Sequence, residues 1–182
     1  MSDNPFHDKP ILHATYIVLR DHGYADLTIS NIADELGKSK AAIYYHYDDK
    51  DDVITSFLAV LRHELSSFIN TLDDNAEAQL HALLTELLNP SDDLRNLRRA
   101  LLQLKAEAPF DDAIANEFRA LDTVLTERIE TLLDDAGATH PSTKATMLVS
   151  TIDGTIDREI SYGEPTDHEA LIAVLHDELL NE

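Results

Sequence analysis

At 182 residues, with 43 % of them apolar, the chain has room for one or two domains and can bury a core without covalent staples. It has no cysteine, which excludes disulfides and thiolate metal sites, and no apolar run approaches the roughly 20 residues a membrane helix needs. Acids outnumber bases 35 to 14, a formal net charge of −21. The opening residues, MSDNPFHDKP, lack a cationic, then apolar, secretory pattern, so a cytoplasmic location is expected.

In chain order, a first helix is predicted over Pro10–His22, burying Ile11, Ala14, Val18 and Leu19 and ending at Gly23. Thr28 then offers an N-cap to a second helix, in which Ile29, Ile32, Ala33 and Leu36 recur at i, i+3, i+4 and i+7. Gly37 supplies the stop, because the residue past a helix often takes the left-handed conformation. Ser39 is placed to cap a third helix, roughly Lys40–Tyr47, whose Ala42 and Ile43 can pack inward. Lys40, Ala41, Tyr44, Tyr45 and His46 are left for an outward or flanking face, while packing accounts for Tyr47 and in part for Tyr45. Two short helices joined by a tight turn form a helix-turn-helix, whose second helix enters the DNA major groove.

The stretches ILHATYIVLRDHGYADLTISNIADELG and SKAAIYYHYDDKDDVI, and above all Tyr44-Tyr45-His46-Tyr47 followed by Lys50, resemble the DNA-binding domain of the tetracycline-repressor (TetR) family. The resemblance spans Ile11–Leu61, a little over a quarter of the chain, with one departure: Lys38 stands where the family usually has an apolar residue after the turn glycine. It implies an all-α protein with a DNA-binding domain over residues 1–50, recognition helix about 39–47, and a helical effector-binding and dimerisation domain over 51–182. It also places Ser30, Lys38, Ser39, Lys40, Ala41, Ala42, Tyr44, Tyr45, His46 and Lys50 at or near double-stranded DNA. A palindromic operator, a small and mostly apolar effector, and repression as the usual mode follow from the same resemblance.

Asp48-Asp49 should open a long fourth helix, Lys50 to about Thr71, with Val53, Phe57, Val60, Leu61, Leu65 and Phe68 along one stripe, joining the two parts as a shared rod. A fifth is expected from about Asn75 to Leu88, broken by Asn89-Pro90, and a sixth over Ser91–Ala108, before Pro109. The seventh, Asp111–Asp135, carries Ile114, Phe118, Leu121, Leu125, Ile129, Leu132 and Leu133; the eighth spans Pro141–Tyr162 and the ninth Asp167–Leu180. The total is about nine helices and no strand.

Residues 1–50 hold five bases against eight acids, a net of −3, so the remainder carries −18. Lys38, Lys40 and Lys50 stay close together on the expected DNA face. The pairs Asp73-Asp74, Asp92-Asp93, Asp111-Asp112 and Asp134-Asp135 fall at helix ends, and capping explains the middle two but not the total. With 22 Asp, 13 Glu and only six Lys, the surface suits molar salt, as in a halophile.

On the eighth helix, Met147, Leu148, Thr151, Ile152, Gly154 and Thr155 form a small and apolar stripe, and Leu171, Ile172, Val174, Leu175 and Leu179 give the ninth a wide apolar face. Two such helices per subunit could build a four-helix bundle about a two-fold axis, or could simply complete a monomer core. The resemblance favours a homodimer through these last two helices. Polar residues on or beside apolar faces, His63, His81, Arg99, Gln103 and Asp153, are the candidates for orienting an effector. No HxxxH pair occurs and His168 and His176 are two turns apart, so no metal or other cofactor is expected. Catalytic motifs are absent, which disfavours a helical enzyme; an acidic protein-interaction module without DNA binding is the other alternative.

Overall fold

The computed structural model describes residues 5–71, 75–89 and 91–180. Among these the chain is all-helical, with nine α-helices: α1 (Pro10–His22), α2 (Ile29–Leu36), α3 (Lys40–Tyr44), α4 (Lys50–Asn70), α5 (Ala76–Leu88), α6 (Asp92–Lys105), α7 (Asp112–Asp135), α8 (Pro141–Tyr162) and α9 (His168–Leu180). A single 3-10 turn, Tyr24–Asp26, follows α1. The Asp73-Asp74 pair and the break at Pro90 lie outside the described residues.

The boundaries follow from local chemistry. Pro10 stands at the start of α1, where its missing N–H would have had no helical partner. Asn75 Oδ1 accepts from Ala78 N (2.9 Å), Asp111 Oδ1 from Ala113 N and Ile114 N (2.9 and 3.1 Å), and Asp167 Oδ1 from Ala170 N (3.0 Å). Each cap satisfies an amide that would otherwise lack a partner. Helix α6 stops at Lys105, short of the expected Ala108; the chain then runs as turns, with Glu107 N donating to Leu104 O and Ala108 N to Lys105 O. Pro109 explains the early stop, since a proline disfavours helical backbone in the residue before it.

Helix packing forms two compact units. The first comprises the described residues up to Glu64 together with Asp92–Leu121. Its core joins Leu12, Val18 and Leu19 of α1, Leu27, Ile32 of α2, Ile43 of α3, Val53, Ile54, Phe57, Leu58 and Leu61 of α4, Leu97, Ala100 and Leu104 of α6, and Ile114 of α7. Ile11 is only half-buried, while Leu12 and Thr15 take the inward positions; Thr15 is tolerated because its hydroxyl donates to Ile11 O at 2.9 Å. Phe6 stacks on Phe57 at 4.4 Å between ring centroids.

The second unit comprises Leu65–Ser91 and the described residues from Asp122 onward. Leu80, Leu83, Leu84 and Leu88 of α5 meet Ile129, Leu132 and Leu133 of α7, Ala145, Leu148, Val149 and Ile152 of α8, and Ile172, Leu175 and Leu179 of α9. The connection from α8 to α9 is clasped by Glu159, whose Oε1 accepts from Thr166 N (3.0 Å) and lies 2.5 Å from His168 Nε2. Burial pushes the Glu159 carboxyl up, yet the His168 and Thr166 hydrogen bonds together outweigh it and hold it below its ordinary value. A depressed carboxyl stabilises at neutral pH and loses that contribution as acid protonates it.

Candidate nucleic-acid interface

The turn between α2 and α3 is set by backbone geometry. Thr28 Oγ1 accepts from Asn31 N at 3.1 Å and starts α2, while the Asn31 amide donates to Asp26 O at 2.6 Å and ties α2 to the preceding turn. Gly37 is left-handed (φ 66°), its N–H reaches Asp34 O (3.1 Å), and Lys38 N reaches Ala33 O (3.0 Å). These two bonds make a Schellman stop, in which glycine avoids the strain a side chain would bring. Lys38 is exposed, so the apolar contact that often closes this motif is replaced by a cation in solvent.

Helix α3 is one turn long and hangs on Ile43, its one fully buried residue. Regular helix ends at Tyr44 rather than Tyr47, although Tyr47 N still bonds Ile43 O at 3.0 Å. Ser39 occupies the N-cap position, but its hydroxyl makes no capping hydrogen bond. Ser39, Lys40, Ala41 and His46 are exposed and Ala42 is half-buried. Tyr44 is 54 % exposed and Tyr45 85 %, so Tyr45 does not share the packing role; its ring stands perpendicular to that of His46, at 5.0 Å between centroids. Tyr47 packs against the core, where burial and then the nearby Asp52 raise its pKa above the ordinary phenol.

Around this face, Ser30 is half-buried and Lys50 begins α4. The Lys50 ammonium lies 4.4 Å above the Tyr24 ring centroid and donates to Tyr24 Oη at 3.2 Å. Asp49 Oδ1 accepts from Asp52 N (2.9 Å) and Asp52 Oδ2 from Asp48 N (3.1 Å), so carboxylates already occupy the positive end of α4. The helix dipole at that end is therefore largely neutralised before any phosphate arrives.

The effector candidates divide between the units: His63, Arg99 and Gln103 in the first, His81 and Asp153 in the second. His63 is exposed; Arg99 Nη1 donates to Asn96 Oδ1 at 3.4 Å. Gln103 is structural, its Oε1 accepting from Tyr24 N at 2.8 Å. His81 lies with its ring 6.2 Å from that of His176, and Asp153 is half-buried. Arg128 escaped the sequence reading: its Nε is buried without a partner and its Nη2 donates to Gln79 Oε1. The available signal was weak, an arginine between Glu127 and Ile129, one turn after Leu125 on the apolar stripe of α7. A cleft in the first unit, lined by Val18, His22, Asp26, Asn31, Asp34 and Glu35, is too acidic for an apolar ligand.

Comparison with known proteins bears on the same segments. A family model described as bacterial regulatory proteins, tetR family, matches residues 11–56, and one described as tetracyclin repressor-like, C-terminal domain, matches 75–181. The crystal structure of a TetR transcription regulator from Haloarcula marismortui superposes with a TM-score of 0.85 at 33 % identity, covering 94 % of this chain and 95 % of that one. A transcriptional regulator from Rhodococcus sp. Rha1 has the same fold (TM-score 0.83, 18 % identity, 95 % and 94 % covered). The HTH-type transcriptional repressor AcnR of Corynebacterium diphtheriae is 22 % identical over 175 residues, 93 % of this chain and 89 % of the relative.

Proposed function

Since the chain belongs to the tetR family of bacterial regulatory proteins, and so is a DNA-binding transcriptional regulator rather than an enzyme, we propose that it is a cytoplasmic repressor which binds a palindromic operator as a homodimer and is released by a small, mostly apolar effector. The observation that carries the reading is the outer face of α3. Lys40, Ala41 and Tyr44 on the helix, and Tyr45 and His46 just past its end, all stand in solvent, with Ile43 buried behind them. Packing accounts for none of these exposed side chains, whereas a groove can use every one: lysine donates to guanine, small residues admit a thymine methyl, and hydroxyls and imidazole hold phosphates. Ser30, Lys38, Ser39, Ala42 and Lys50 complete the proposed contact set. A gel shift with the chain's own upstream DNA in concentrated KCl tests it; a retarded band supports the regulator, and none at any salt favours the acidic interaction module.

Dimerisation is proposed through α8 and α9. The core takes Leu148, Ile152, Ile172, Leu175 and Leu179, so their apolar character is satisfied within one subunit. Met147, Gly154, Tyr162 and Val174 remain exposed, and Met147, Thr151, Gly154, Arg158 and Tyr162 recur at helical spacing along one stripe of α8. A second copy of that stripe about a two-fold axis is the occupant that matches operator symmetry. Effector binding would then oppose DNA binding, and linkage requires each to weaken the other equally.

The charge supports a salt-adapted surface. Fourteen bases cannot neutralise thirty-five acids, and the Debye length falls from about 10 Å at 0.1 M to about 3 Å at 1 M salt, which quenches the residual repulsion. Thermal unfolding followed by circular dichroism should therefore shift upward steadily as KCl rises into the molar range. A midpoint independent of KCl would contradict this.

A further inference from the structure

The DNA-facing end of Lys50 is not left to solvent, and what holds it reaches back to α6. Gln103 on α6 accepts from the backbone N–H of Tyr24 at 2.8 Å. The same amide oxygen lies 2.9 Å from where a Cβ on Gly23 would stand, so a side chain there would push Gln103 aside, and φ 82° itself favours glycine. Tyr24 in turn supports the Lys50 ammonium with its ring face at 4.4 Å and its hydroxyl at 3.2 Å. Beyond Lys50, the neighbouring Asp49 and Asp52 carboxylates are engaged as caps of α4.

We infer that Tyr24 is a positioning residue for Lys50: its ring and hydroxyl hold the ammonium ready for a DNA phosphate, and Gln103 of α6 fixes Tyr24 in place. The inference rests on the proposed DNA-binding reading. Its physical basis is preorganisation. A lysine has a long flexible stem and loses rotamer freedom when its head is pinned to a phosphate, and a ring that already holds the head lessens that loss. In a chain with only six lysines, aiming one of them matters more than in a basic DNA binder.

The test uses the full chain with its lysines carrying 13C-labelled methyl groups, which preserve their charge, and a duplex of mixed sequence as probe, since a phosphate contact is independent of base order. In the free protein, the Lys50 methyl resonance, assigned by its loss in Lys50→Ala, should show a ring-current shift. That shift should survive in Tyr24→Phe, vanish in Tyr24→Leu and shrink in Gln103→Leu. On the duplex, Lys50→Ala should reduce the slope of log K against log salt by about 0.9, the value for one lost phosphate contact. Tyr24→Leu should weaken binding toward the Lys50→Ala level, Tyr24→Phe should recover much of the loss, and Tyr24→Leu/Lys50→Ala should bind no worse than Lys50→Ala alone. A simple structural defect would instead add to the lysine loss. An unshifted Lys50 resonance in the wild type, or additive losses in the double variant, overturns the inference while leaving DNA binding intact. A wild-type chain that binds neither this duplex nor its own upstream DNA overturns the DNA-binding reading and this inference with it.

Discussion

Gly154→Arg should yield a folded monomer whose operator affinity is about 10²–10⁴-fold lower, because two recognition helices on one particle act at high effective concentration and separate ones do not. Gly154 lies in the middle of α8, where glycine costs roughly 0.5–1 kcal/mol relative to alanine. Among the described residues nothing calls for it: outside its chain neighbours and its own helix backbone, no atom comes within 4 Å of where its Cβ would stand, and its backbone is ordinary helix. A close helix crossing from a second copy would supply the reason. The arginine would then place a charge and bulk at the centre of the interface while meeting no obstacle within the subunit. Light scattering together with circular dichroism separates the two effects. An intact dimer in the G154R protein would remove α8 from the proposed interface, whereas lost helicity would show that the residue is needed within the subunit.

The second large effect separates base reading from phosphate holding. Lys40→Ala should relax sequence preference at a cost of roughly 1–3 kcal/mol, since an exposed lysine at the start of α3 can donate to guanine O6 and N7. Tyr44→Phe removes one hydroxyl from a side chain 54 % exposed and should weaken binding to all sequences alike, by about 1 kcal/mol. Both are measured by competition between operator and mixed-sequence duplex. The division of labour fails if Lys40→Ala leaves the sequence preference intact while Tyr44→Phe changes it.

Much of the fold was legible because its helices are punctuated by residues with one dominant use. Pro10 and Gly23 fix the ends of α1, Thr28 and Gly37 those of α2, and Pro141 and Tyr162–Gly163 bracket α8. The outward set on α3 was legible for the same reason: Ile43 is the only large aliphatic residue in SKAAIYYHY, so it must face inward. Partner choice was not legible. Ile11 and Leu12 are both apolar, and only packing decides that Leu12 is the buried one. The contribution of Ile114 to the first core and of Ile129, Leu132 and Leu133 to the second lay hidden in one continuous apolar stripe on α7. Phe6 lies in a segment with no periodicity at all, yet it stacks on Phe57. Gln103, 79 positions from Tyr24, showed only as a polar residue beside an apolar face; periodicity cannot tell a ligand contact from a backbone acceptor. The chemistry of the effector remained equally silent, because an apolar pocket and an apolar core use the same residues.

The central claim is that two copies of this chain read one two-fold DNA site. The most direct measurement is sedimentation of the protein with a labelled duplex from its own upstream region, at KCl high enough to suppress non-specific contacts. The account predicts a complex of two chains on a duplex whose half-sites are about one helical turn, or a multiple of it, apart, lost when either half-site is scrambled. A single chain per duplex, or binding indifferent to the scrambling, would contradict it.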